Sequence, residues 1–169
     1  PACAEDLRVA NAFLQNAGAT SPPVIAAPVW QYGHGRLDPE TGRVRDFTRF
    51  VHFKADRWQP AEAYPSGSEG YVGLTASGGH PGPNASFSAV RRWVAPVDGA
   101  ISIDGVLDHP GDHGDGVRGR VIHDALGEIG QWEVRHSKAE TPVERLPIRA
   151  GDTVDFVTES RETPDHDSF

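Results

Sequence analysis

Trp30 and Tyr32 in W-Q-Y-G-H-G and Trp58 in D-R-W-Q-P stand beside Gly, Gln and Pro. Flat rings flanked by polar groups are what a protein needs to hold the apolar face of a pyranose ring. Polar partners for such a ligand are at hand in His80, within S-G-G-H-P-G, and in the Arg91-Arg92-Trp93 run. An arginine beside an aromatic suits a carboxylate, a sulfate or sugar hydroxyls through its planar fork. Successive strand residues point to opposite faces, so only one of Arg91 and Arg92 can serve a given surface. Two competing readings stand beside this one. Tryptophan on a strand is usually core, and Trp132, sharing parity with Val134, reads that way. Either arginine could instead close a buried salt bridge to one of 24 acidic residues.

The acids and the eight histidines raise a metal hypothesis. His109 and His113 flank P-G-D, near Asp108, Asp112 and Asp115, while His34 and His80 sit in glycine-rich loops. Two or three converging imidazoles favour zinc or another transition metal, and carboxylate-rich loops favour calcium. The D-x-[DN]-x-[DN]-G calcium spacing is absent, so solvated loop residues are the default reading. No cofactor is required; a single structural calcium on Asp155, Asp165 or Asp167 is the metal expectation. Asp98, Asp115 and Asp152 each adjoin a glycine, where Asp ordinarily accepts backbone N–H bonds in a turn. No catalytic residues are expected: the chain has no G-x-S-x-G elbow, P-loop, H-E-x-x-H or C-x-x-C-H motif. A glycosidase pair of carboxylates comes together only in the fold.

Elements able to position these residues are legible between Arg91 and Phe156. Ile101 and Ile103 alternate with Ser102 and Asp104, Val117 and Val121 oppose Arg118 and Arg120, and Val154 and Phe156 alternate with Thr153 and Asp155. Period-two patterning attached to Gly-Asp corners predicts half-buried antiparallel strands. Strands are expected over 28–33, 48–54, 71–76, 87–94, 100–107, 116–123, 129–136, 142–148 and 153–159. About nine strands in roughly 140 residues fit an all-β, antiparallel, jelly-roll-like β-sandwich. The 169 residues suffice for one two-layer core, and Gly 19 with Pro 14 disfavour long helices. One short N-terminal helix is expected over 4–17, stopping at Gly18 and followed by a Pro-rich linker. Residues 1–23 then read as the tail of a preceding domain, and 24–169 as the sandwich module. The net charge of −8 argues against nucleic acid as partner. Cys3 is the sole cysteine, so no internal disulfide forms. No apolar run approaches the ~20 residues of a membrane span, so no membrane insertion is expected.

W-Q-Y-G-H-G, F-x-R-F-x-x-F with D-R-W-Q, G-Y-V-G-L-T-A-S-G-G-H-P-G, A-V-R-R-W-V-A-P-V-D-G, G-D-G-V and G-D-T-V-D-F-V…D-S-F follow one another along the chain. This combination, over residues 28–169, resembles a β-sandwich module of large planctomycete-type multidomain proteins that also carry c-type cytochrome-like domains. The resemblance implies carbohydrate binding, neighbouring domains as partners, and an extracytoplasmic (periplasmic or secreted) location. It transfers no ligand residues, and with no haem motif present it transfers no cytochrome activity.

The residues and the resemblance together give the expected function. It is a non-catalytic carbohydrate-binding module that holds a polysaccharide or oligosaccharide through Trp30, Tyr32, Trp58, His80 and Trp93, with Arg91 or Arg92 anchoring polar groups. The alternatives are a structural module docking against neighbouring domains, and a polysaccharide-degrading enzyme on a sandwich scaffold.

Overall fold

A computed structural model describes residues 29–169; the helix expected over 4–17 and its linker lie outside the described residues. The described chain is all-β. Its strands are β1 (Trp30–Asp38), β2 (Arg43–Arg49), β3 (His52–Lys54), β4 (Arg57–Gln59), β5 (Gly73–Leu74), β6 (Gly79–His80) and β7 (Ser88–Val94). They continue as β8 (Gly99–Ile103), β9 (Val106–His109), β10 (Val117–His123), β11 (Gly127–Val134), β12 (Ser137–Glu140), β13 (Val143–Ile148) and β14 (Thr153–Ser160). The only helical element among the described residues is a single 3₁₀ turn, Ala85–Phe87.

Six strands form the main sheet in the order β11-β10-β14-β7-β1-β2, with antiparallel pairing throughout. The register decides which side chains share a face. Trp30 lies opposite Trp93, and Trp93 opposite Val154. One step along, Tyr32, Arg91, Phe156 and Val121 form a row, followed by His34, Ala89, Thr158, Gly119 and Trp132. Directly opposed residues point the same way, so these rows make one face. The other face carries Arg92 opposite Asp155, and Glu159 opposite Arg118, which is itself opposite Glu133. Arg92 grips Asp155 through two hydrogen bonds of 2.7 and 2.8 Å, and Arg118 reaches Glu133 at 2.6 Å. Arg120 bonds Glu159 at 2.7 Å and also Glu128. Between these ion pairs, Val90, Ile122 and Val157 are covered by Leu37, Val44 and Phe47 of the β1–β2 hairpin.

The first face is covered by a divided second layer rather than one continuous jelly-roll sheet. Part of that layer is a bent ribbon. Strand β9 pairs with β12 and β8 with β13, and the two halves are joined where the Thr141 N–H donates to the Gly105 carbonyl at 2.8 Å. The bend falls where Gly105 has no side chain to clash with the Thr141 hydroxyl and Pro142 cannot donate. Val143, Leu146 and Ile148 of the ribbon bury against Trp93, Val121 and Val154 of the sheet. Leu107 does the same against Val117 and Val134. The small sheet β3-β4-β5-β6 supplies the rest, packing Leu74, with Phe50 and Val72 beside it, on Ala89. Each such aliphatic or aromatic side chain contributes about 1.5–3 kcal/mol when fully buried, so this layer contact dominates the fold's stability.

The corner acids cap turns. Asp152 accepts from Arg149 N–H at 2.7 Å, Asp98 from Ala150 N–H at 2.8 Å, and Asp115 from Glu162 N–H at 2.6 Å. The last of these ties the segment after β14 back onto the loop before β10.

Candidate functional site

Main sheet and bent ribbon do not close completely. A cleft of about 450 Å³ remains between them, within the roughly 300–1,000 Å³ range of small-ligand sites. Its floor is the first face of the sheet, with Trp30, Arg91, Trp93, Trp132 and Phe156; Ile101, Ile103 and Leu107 of the ribbon form the roof. Phe169 closes one end, paired through both backbone groups to Gly79 at 2.9 and 3.0 Å. The Trp30 and Phe156 rings lean on each other at 5.7 Å and 40°. Trp132 lies flat over its own strand because Gly130 has no Cβ; one there would collide with the indole.

Charged residues line the cleft unequally. Arg120 belongs to the opposite face and is held by Glu159 and Glu128. Asp104 and Asp108 share the alternation of exposed Ser102 and Val106, and Asp108 lies 4.0 Å from Lys138. Arg91 alone has both the parity and the position to present charge inside. Its Nη2 donates to the carbonyls of Gly78 at 2.6 Å and Thr75 at 3.3 Å, which fixes the guanidinium. Its Nε is buried with no hydrogen-bond partner, and no carboxylate of the described residues lies within 4.0 Å of it. Burial lowers its pKa from the ordinary guanidinium range, and only Tyr32 opposes that shift. An arginine still carries its charge at neutral pH under such a shift.

The remaining sequence candidates are placed elsewhere. Tyr32 and Trp58 stack face to face at 3.8 Å and 4°, so each ring occupies a face of the other. Phe53 leans on Trp58 at 4.8 Å. Both rings pack on the Phe50, Val72, Leu74 and Ala89 cluster under the small sheet. His80 Nδ1 sits 2.6 Å from the Pro81 carbonyl; burial lowers its pKa, so its imidazole is neutral at pH 7. Arg92 is on the outer face, closing the salt bridge with Asp155 and covering the Phe47 ring at 4.1 Å. Trp93 is 5% exposed and belongs to the core at the inner end of the cleft. No tryptophan stands free in solvent: Trp30, Trp58 and Trp132 are half-buried. Trp132 and Phe156, read as ordinary strand residues in the sequence, are floor residues of the cleft. Their parity with Val134 and Val154 gave the face, but nothing local showed that the roof would leave a gap above them.

The carboxylates expected to hold calcium do not form one centre. Both Asp155 oxygens are taken by Arg92, and Asp165 is exposed. Asp167 is fully buried, 3.6 Å from His109 Nε2, and neither of its oxygens has a hydrogen-bond partner of good geometry. Burial, then the nearby Asp115, push its pKa up to about 6, against the pull of His109 and the Gly116 amide. The one group of three metal-ligand residue types converging among the described residues is His123, Asp124 and Asp152. There the acids already accept backbone hydrogen bonds from Ala125 and Arg149. The ordinary job of these three side chains is to shape the β10–β11 and β13–β14 turns.

No protein-family model, no curated protein and no solved structure matches the chain.

Proposed function

We propose that the protein is a non-catalytic binding module that takes a saccharide into the cleft between its two layers. One observation carries the reading: Trp30, Arg91 and Trp93, singled out in the sequence, meet in a single apolar cleft floored also by Trp132 and Phe156. Half-buried indoles beside a fixed cation suit a ring with an apolar face and a polar edge. A cleft, in place of a flat row of exposed indoles, favours a soluble chain or chain end over a crystalline polymer surface. The resemblance to an exported module makes an extracytoplasmic location part of the same proposal. The test is retardation in gels containing soluble polysaccharides, or calorimetry with oligosaccharides. Trp30→Ala should weaken binding at least tenfold. Trp58→Ala, whose ring is stacked on Tyr32 away from the cleft, should leave it unchanged.

A second reading, docking against neighbouring domains, has its own support. Val51 is 78% exposed, Phe53 58% and Tyr71 55%. Large apolar side chains standing in solvent mark contact surfaces when they cluster. If this reading is the right one, glycans fail to bind, and Phe53→Ser alters association with the adjoining domains while Trp30→Ala does not.

A further inference from the structure

Arg91 and Arg92 are neighbours in sequence, yet the sheet treats them differently. Arg92, Arg118 and Arg120 all face carboxylates across the ladder, at 2.7 and 2.6 Å for the first two and with two partners for the third. Arg91 faces Tyr32 and Phe156 in the same register. Phe169 lies along its side, 5.7 Å from ring centroid to guanidinium carbon. A buried charge is costly unless it is paired and hydrogen-bonded. Arg91 has two carbonyls on one nitrogen, an empty-handed Nε, and no counter-ion among the described residues. The other charges in the cleft lining do not pair with it: Arg120 is neutralised on the far face, Asp104 is exposed on the outward parity of Ser102 and Val106, and Asp108 lies at the rim 4.0 Å from Lys138. The opening beside Arg91 is floored by aromatic rings.

We infer that the cleft is built for an acidic saccharide, a uronate whose carboxylate pairs with Arg91 while its ring lies against Trp30 or Trp132. The inference rests on the saccharide reading above and deepens it by naming the charged group. A guanidinium held in place by main-chain carbonyls loses little freedom on pairing, and a charge-assisted bond in an apolar surround is stronger than one in water.

The test is calorimetric titration of the protein with three probes: a galacturonate trimer, the same trimer fully methyl-esterified, and a neutral glucan trimer. Expected is binding of the free acid, with a loss of at least tenfold on esterification and a similar loss in Arg91→Gln. Arg118→Gln, which removes a charge on the outer face, should bind as the parent does. Equal binding of acid, ester and neutral trimer would overturn the inference and leave the saccharide reading standing. So would undiminished binding of the acid by a folded Arg91→Gln. If that variant does not fold, the esterified probe decides alone. Binding of none of the three, together with no retardation by any neutral or acidic polysaccharide, would overturn both.

Discussion

Two arginines one position apart illustrate how little of a residue's role is local. Alternation in the sequence required Arg91 and Arg92 to part company across the sheet, and they do. Which one would meet an acid depended on register: Arg92 is opposite Asp155, 63 positions away in the chain. No short window contains that information. The consequence for stability is direct. Asp155→Asn leaves a largely buried guanidinium without its counter-charge and should cost about 3–5 kcal/mol in urea unfolding. Asp167 makes the opposite case, a carboxyl that the fold holds against its ionisation. Its pKa is raised from 3.8 to about 6, so the folded state binds the proton more tightly than the unfolded chain. The favourable contribution is complete below about pH 4 and is lost as pH rises through about 6, amounting to about 3 kcal/mol. Asp38, held down to about 2 first by the Glu40 amide and then by the Thr41 hydroxyl and Arg45, acts with the reverse sign in acid. The difference between parent and Asp167→Asn isolates the first effect. Across pH 4–7 the parent should lose stability relative to Asp167→Asn, as read by thermal melts; parallel curves would contradict the assignment.

At the scale of elements, most strands were written in their alternation. The windows at 87–94, 116–123 and 153–159 became β7, β10 and β14, the centre of the sheet, where one face is buried and parity is strongly enforced. Edges were harder to read. Strand β12 spells S-K-A-E, with no apolar stripe, because its side chains are largely exposed and its place is set by pairing with β9. The window at 100–107 hid the break at Asp104–Gly105 that bends the ribbon into a roof. Trp132 and Phe156 had the right parity, but the gap above them depends on that bend, and therefore on both strands together. The glycine corners are more demanding than the pattern implied. Gly116 sits at φ +95°, and a Cβ there would strike the Val134 carbonyl. Gly116→Ala should therefore destabilise by at least about 1–3 kcal/mol in denaturant titration. A neutral result would mean that the entry to β10, beside the end of β11, relaxes freely.

For the whole molecule, the all-β class followed from patterning, whereas the divided second layer did not, and the cleft is a property of how the layers fail to meet. The charge of −8 spreads a repulsive field over any anionic ligand, against which Arg91 acts from a buried position. Raising salt from about 0.01 to 0.15 M shortens the Debye length from about 30 to 8 Å, which screens the distant charges more than a buried pair. Uronate affinity should therefore hold or rise over that range, opposite to the fall expected of binding by a basic surface. The most direct measurement follows the four indole N–H signals by NMR while galacturonate and glucan trimers are added in turn. The cleft account requires Trp30 and Trp132 to shift with the bound trimer while Trp58, stacked on Tyr32, stays in place. No indole responding to either sugar, or Trp58 moving while Trp30 and Trp132 stay still, would contradict it.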